Sequence, residues 1–191
     1  MTDIQQQVLI GTVLGGSSLI KQPKGKNYYL TMRSQDSLWL KYKIAELHNY
    51  FMSADLSQYG KTYCCNTICL DEFTLYREKL YKNNKRFASE KILDRINDLG
   101  LAIWFIEGGG WAGRNRKNAY INTTMLSSSS DVIWNYFQNI LDFECCLHVS
   151  KNRQRLLFGV KSSQKLMSII LPKYPDFLIQ RLTQSTLLNH D

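Results

Sequence analysis

Leu9-Ile10-Gly11-Thr12-Val13-Leu14-Gly15-Gly16-Ser17 is answered, about ninety residues further on, by Leu101-Ala102-Ile103-Trp104-Phe105-Ile106-Glu107-Gly108-Gly109. Each stretch is apolar nearly all round, carries small residues and runs into glycine, the pattern of a buried helix with a glycine stop. Gly11 and Gly15 lie four apart and so share one helix face. Two buried helices cross closely only where their contact faces carry small side chains, and Ala102 fills part of that role in the second copy. Glu107 and Gly108 then sit at the tip where the two helices converge.

Outward from these helices the two parts of the chain stay in register. Gly15-Gly16 aligns with Glu107-Gly108, and Lys26-Asn27-Tyr28-Tyr29 with Lys117-Asn118-Ala119-Tyr120. Ser37–Phe51 aligns with Ser130–Phe143, and Asp71–Tyr76 with Ser163–Ser168. An order kept through four elements predicts a tandem αββαββα repeat, at a period too long for a solenoid.

In the first unit the pattern predicts helices over Ile4–Leu14, Asp36–Phe51 and Glu72–Tyr81. A hairpin within Ser17–Arg33 turns at Pro23-Lys24-Gly25-Lys26, and strand over Gln58–Cys69 turns at Gly60. Lys82–Glu90, polar and basic, reads as the connector, followed by a short helix at Ile92–Ile96. The second unit has helices over Leu99–Glu107, Asp131–Leu141 and Gln164–Leu171. Its hairpin covers Trp111–Met125, and its second strand pair is Cys145–Lys151 with Arg155–Lys161. Pro172 and Pro175 break into a last segment, Phe177–Leu182. The expected division is a first half over 1–82, a linker over 83–97 and a second half over 98–191.

With 191 residues, 44% hydrophobic and 12% aromatic, the chain is globular and long enough to bury a core. Its 24 Lys+Arg against 16 Asp+Glu leave a net charge of +8, which favours a polyanionic partner, nucleic acid first. Five cysteines cannot all pair within the chain. Cys64-Cys65 and Cys145-Cys146 are adjacent, point to opposite faces of a strand, and lack the C-x-x-C spacing of a zinc clip. Reduced thiols in an intracellular protein are expected.

No span reaches the ~20 apolar residues that cross a bilayer. Met1–Gln7 lacks a basic n-region, so a secretory signal is not expected, while an organellar, bacterial or phage setting stays open. Gly108-Gly109-Gly110-Trp111-Ala112-Gly113 satisfies G-x-G-x-x-G, but it follows a helix and opens a polar run, the reverse of a dinucleotide fingerprint. His48 and His148 are expected on core-facing elements, with His190 near the end, and no nucleophile–base spacing is present.

Both quoted stretches resemble the signature helices of the LAGLIDADG homing endonucleases of the single-chain, two-motif type. The resemblance runs from about Ile4 to Leu182. It is most specific at Leu101–Gly110, where Leu-Ala-Ile-Trp-Phe precedes an acid and glycines. It implies a mixed α/β (α+β) fold in which two pseudosymmetric αββαββα halves pack through the motif helices. Together they form a saddle-shaped nucleic-acid-binding surface.

The resemblance also implies an aspartate at the eighth position of each motif, holding Mg²⁺ at the scissile phosphates. Here those positions are Gly16 and Gly108, which offer no side-chain oxygen, and carbonyls alone rarely hold Mg²⁺. No metal site is expected, cleavage is expected to be lost, and binding is expected to need no cofactor. Glu107, at the seventh position and roughly 100° around the helix, would serve one half only, because its counterpart is Gly15. By the same resemblance Lys85 or Arg86, and Arg181 in the second half, stand where basic residues contact phosphate.

The cations gather after each motif helix. Lys21, Lys24, Lys26 and Arg33 follow the first, with Lys61 further on. Arg114, Arg116 and Lys117 follow the second, joined by Lys151, Arg153, Arg155 and Lys161. Arg and Lys read guanine edges in a major groove, and Asn and Gln read adenine. Asn27, Gln22, Gln35, Asn66, Asn118, Asn122 and Gln154 are candidate readers, while Tyr28, Tyr29, Tyr63 and Tyr120 are expected mostly on the core face. The expected function is sequence-specific binding of long duplex DNA by a pseudo-twofold monomer whose cutting is lost. The alternatives are a non-catalytic protein binding structured RNA, such as an intron maturase or a component of an RNA–protein assembly, and residual cleavage through Glu107.

Overall fold

Thr2 opens the first helix, α1 (Asp3–Gly15), with a capping box. Its hydroxyl accepts from the Gln5 N–H, and the Gln5 side chain accepts from the Thr2 N–H. The structure, a computed structural model, describes residues 1–112 and 117–179. Strands β1 (Ser18–Lys21) and β2 (Tyr28–Ser34) follow, then α2 (Ser37–Glu46), whose Asp36 cap accepts from the Leu38 and Trp39 amides. Strands β3 (Ser57–Tyr59) and β4 (Thr62–Asn66) complete an antiparallel sheet of order β1-β2-β4-β3. Helix α3 (Asp71–Leu80) has acids in its first turn and Arg77 and Lys79 in its last, as the helix dipole favours.

The second half repeats this order. Helix α5 (Asp98–Gly108) is capped by Asn97, whose side chain accepts from the Leu99 and Gly100 amides. Strands β7 (Gly109–Ala112), β8 (Asn118–Asn122), β9 (Cys145–Ser150) and β10 (Arg153–Phe158) make a sheet of order β7-β8-β10-β9. That is the first sheet's order again. Between β8 and β9 lie a 3₁₀ stretch at Thr124–Ser129, α6 (Ser130–Asn135) and a π turn at Tyr136–Ile140. Helix α7 (Val160–Ile170) closes the unit.

The connector has more regular structure than the expected polar linker and short helix at Ile92–Ile96. It holds a small hairpin, β5 (Tyr81–Lys82) with β6 (Lys85–Arg86), and a helix, α4 (Glu90–Leu93). Asn83 and Asn84 both take positive φ, 52° and 61°, the backbone of a two-residue hairpin turn that asparagine tolerates. The expected helix over Asp36–Phe51 ends at Glu46, followed by a 3₁₀ turn at His48–Tyr50. The expected helix over Asp131–Leu141 passes into the π turn at Tyr136, where the Leu141 amide bonds five residues back.

Helices α1 and α5 run side by side between the sheets with their inner residues fully enclosed, from Val8 to Leu14 and from Leu101 to Phe105. A Cβ on Gly11 would lie 2.5 Å from the Gly100 carbonyl oxygen and 2.9 Å from Ile103 Cβ. A Cβ on Gly15 would collide with that of Glu107. Ala102 is buried, and the groups nearest Gly11 are the Gly100 carbonyl and the Ile103 side chain. Gln7 ties the foot of the crossing, donating to the Arg95 carbonyl at 2.8 Å and accepting from the Asn97 amide at 3.0 Å.

Gly11→Ala should therefore force the helices apart and destabilise the fold by about 1–3 kcal/mol, the usual range for overpacking. Urea unfolding of the purified variant measures this. A midpoint equal to that of the parent would mean the crossing is looser than described.

Candidate nucleic-acid interface and the motif-helix tips

The two motif helices end within touching distance. Gly16 caps α1 at φ 153° and ψ −19°, a conformation L side chains rarely adopt. Gly108 ends α5, and a Cβ there would sit 3.1 Å from the Gly15 carbonyl oxygen. Beside the first tip opens a cleft of about 410 Å³ lined by Gly15, Gly16, Ser17, Thr31, Arg33 and Glu107. Serine, threonine and arginine supply its polar atoms, and Glu107 is its carboxylate.

Glu107 is already engaged. Its Oε1 accepts from the Trp39 indole N–H at 2.8 Å and from the Lys43 ammonium. Lys43 has no exposed surface, and the Glu107 side chain is 8% exposed. Both donors come from α2, one helical turn apart, so the pair joins the first half to the second motif helix. The Lys43 ammonium also stands 5.3 Å from the Trp39 ring centroid. Cys65 lies close to this pair, and burial pushes its thiol up to about 11 although Lys43 pulls the other way. It stays a protonated thiol. All five cysteines are unpaired.

At the other side of the first tip, Arg86 donates to the Gly16 carbonyl oxygen and, at 2.8 Å, to Ser18 Oγ. It is buried, and its Nε has no partner. The hairpin β5–β6 delivers it there. Lys85, one residue earlier on the same hairpin, is exposed.

The strand registers sort the remaining candidates by face. In the first sheet Leu19, Leu30, Met32 and Cys65 point inward, so Ser18, Tyr29, Thr31, Arg33, Cys64 and Asn66 share the outer face. Lys21 ends β1, while Lys24, Lys26 and Lys61 lie in the hairpin turns around that face. Asn27 accepts from the Thr74 hydroxyl at 3.4 Å. In the second sheet Ala119, Ile121, Leu156 and Phe158 point inward, leaving Tyr120, Asn122, Arg153, Arg155 and His148 outward. Arg155 lies over the Tyr120 ring at 4.3 Å from its centroid, and its Nε has no partner. Lys117 precedes β8, and Lys151 is in the β9–β10 turn.

Several expectations shift. Lys161 belongs to α7, in the helix layer, because the strand ends at Phe158 and Gly159 starts the helix. Asn118 donates to the Phe158 carbonyl at 2.8 Å, so its amide ties strand to strand. Gln154 shares the strand face of buried Leu156 rather than that of Arg153 and Arg155. His48 and His148 are exposed instead of core-facing. Tyr29 and Tyr120 stand on the outer faces, whereas Tyr63 shares the face of buried Cys65. Arg114, Arg116 and Arg181 lie outside the described residues. Lys43 went unnoticed in the sequence because a lone lysine in an amphipathic helix reads as solvated. Its one local signal was Trp39, four residues before it on the same face.

Two matched four-stranded sheets, joined by a pair of closely crossed helices with a basic periphery, define a single-chain, two-motif nuclease-type fold. A model of the LAGLIDADG DNA endonuclease family matches residues 6–166, and the chain belongs to that family. The probable intron-encoded endonuclease 1 of Wickerhamomyces canadensis is 18% identical over 203 residues, spanning 99% of this chain and 86% of that protein. The homing endonuclease I-WcaI bound to its DNA recognition sequence superposes with a TM-score of 0.82 at 19% identity, covering 92% of this chain and 84% of that one. Protein RecA of Mycolicibacterium chitae is 26% identical over 119 residues, 61% of this chain, and the match spans 28% of the RecA chain.

Proposed function

We propose that the protein binds a long duplex DNA site sequence-specifically, as a monomer, across its two sheets and without cutting it. What supports this best is the state of the two helix tips beneath a face that carries Arg33, Arg153 and Arg155. Both tips are glycine, the Gly16 carbonyl is taken by Arg86, and Glu107 is taken by Lys43 and Trp39. The family's divalent ion needs several oxygen ligands in a regular shell. These residues do not fit one: the carboxylate at hand is neutralised by a buried ammonium, and a guanidinium sits on the carbonyl.

The similarity to a homing endonuclease bound to its recognition DNA supports duplex DNA as the partner. In the proposal, Arg33, Arg153 and Arg155 face the bases, and Asn66 and Asn122 flank them. Lys21, Lys24, Lys26, Lys61, Lys117 and Lys151 meet the phosphates from the turns.

The test is a competitive selection that offers randomised long duplex DNA and structured RNA together in Mg²⁺ buffer. Recovery of a single duplex consensus, left uncut, is the expected result. Recovery of RNA with no duplex consensus would overturn the proposal, and so would Mg²⁺-dependent cutting of the selected duplex. On that duplex Arg155→Gln should weaken binding by about 1–3 kcal/mol and relax preference at one base position. Lys151→Gln should weaken all sequences alike and reduce the slope of log K against log salt by roughly 0.9. Equal effects of the two variants on specificity would contradict this division of roles.

A further inference from the structure

The connector hairpin divides two basic clefts. On one side, toward β1, lies a cleft of about 800 Å³ whose cations are Lys21, Arg77, Lys85 and Arg86. On the other side lies a second cleft, of about 380 Å³, built by α3, the hairpin and α4. Tyr81 and Phe87 supply its apolar surface above the buried Ile92, Lys79, Lys82, Lys91 and Arg95 its cations, and Glu78 its carboxylate. Those four cations are all exposed. None of these residues belongs to a strand of either four-stranded sheet.

The chemistry of the second cleft is specific. Four cations against one carboxylate select a polyanion. An apolar, aromatic floor selects a polyanion that also carries flat apolar units. The Lys82 ammonium stands 5.5 Å from the Phe87 ring centroid, so that ring presents a face to a charged group rather than to the core. Duplex DNA presents phosphates but hides its bases in the stack, and it would leave the floor unused. Unpaired nucleotides offer both parts, with bases that stack on aromatic rings and phosphates that meet lysine and arginine.

We propose that this connector cleft binds a single-stranded stretch of nucleic acid. One base rests on the Tyr81 and Phe87 rings, taking the place of the Lys82 ammonium over Phe87, and the neighbouring phosphates lie on Lys79, Lys82, Lys91 and Arg95. The cleft nearer β1 continues the cations of Lys85 and Lys21 toward the first sheet, so a strand leaving a duplex on the sheets has a charged path over the hairpin. The site does not require that the sheets bind DNA, and it is tested separately from that reading.

The experiment is fluorescence anisotropy of the full chain with short labelled oligothymidylate and oligouridylate, with unlabelled polyglutamate as competitor. Lys91→Glu/Arg95→Glu, both exposed, should weaken oligomer binding at least tenfold while leaving affinity for the selected duplex unchanged. Phe87→Leu, which keeps apolar volume but removes the stacking face, should weaken it about tenfold with an unchanged salt slope. Binding of either oligomer that both variants weaken supports the site. Oligomer affinity that neither variant alters would overturn the proposal. Polyglutamate competing as well as the oligomers at equal charge would also overturn it, since a surface that senses charge alone has no use for the floor. Oligomer binding without any duplex consensus would leave this site standing and remove only the sheet proposal.

Discussion

The double variant Gly16→Asp/Gly108→Asp should acquire Mg²⁺- or Mn²⁺-dependent cleavage of the selected duplex, where the parent leaves it intact. Each substitution returns one carboxylate to a helix tip, and two carboxylates facing each other supply the hard oxygen ligands a divalent ion needs. The two positions resist unequally. A side chain at Gly108 presses on the Gly15 carbonyl oxygen at 3.1 Å, and a shift of a few tenths of an ångström relieves it. Gly16 has open space around its missing Cβ but sits at φ 153°, so an aspartate there must rotate the backbone or accept strain of roughly 1–3 kcal/mol.

Arg86 adds a second obstacle, because a new carboxylate at residue 16 would pair with its guanidinium before any metal arrives. Adding Arg86→Lys should raise the recovered rate further, since ammonium holds a carboxylate by a single point rather than a fork. Gel assays of nicking, with metal binding followed by Mn²⁺ electron paramagnetic resonance, separate the steps. A double variant that folds yet holds no more Mn²⁺ than the parent would show that the tips are not a vacated metal centre.

Lys43→Met should destabilise the fold by about 3–5 kcal/mol, the usual cost of leaving a buried charge without its partner. Glu107 would keep the Trp39 indole N–H but lose its counter-ion in a site that admits little water. Adding Glu107→Gln should recover most of the loss, because a neutral amide needs only hydrogen bonds and the apolar methionine packs in place of the ammonium stem. Denaturant unfolding of the parent, both single variants and the double variant closes the cycle. A double variant that loses as much stability as the two single variants added together would mean that the pair carries no coupling.

Much of this was legible in the amino-acid order. The apolar runs at Leu9–Leu14 and Leu101–Ile106 have no polar face, which forces burial, and Gly11 and Gly15 allow the close crossing. The hairpin at Pro23–Lys26 and the turn at Gly60 follow from local backbone preferences. The connector hairpin was also within reach, since Asn83-Asn84 between Tyr81-Lys82 and Lys85-Arg86 is a positive-φ turn signal read as mere polarity. The strand face of Gln154 was missed for a simpler reason. The expected start of β10 left that residue outside the strand, and strand position decides which face each residue takes.

The sequence alone determined the paired buried helices, the repeated order of elements around them and the glycines at both tips. These follow from covalent facts, because side-chain size, apolar period and missing carboxylates are written in the residues themselves. Tertiary structure decided where the neighbouring charges go. Lys43 meets Glu107 across 64 positions, and Arg86 reaches the Gly16 carbonyl across 70. Each such contact depends on distance and exclusion of water, and no local pattern carries either. Burial turned an ordinary surface-type lysine into the partner of Glu107, and the fold alone brought the connector's arginine to the glycine-tipped end of the first motif helix.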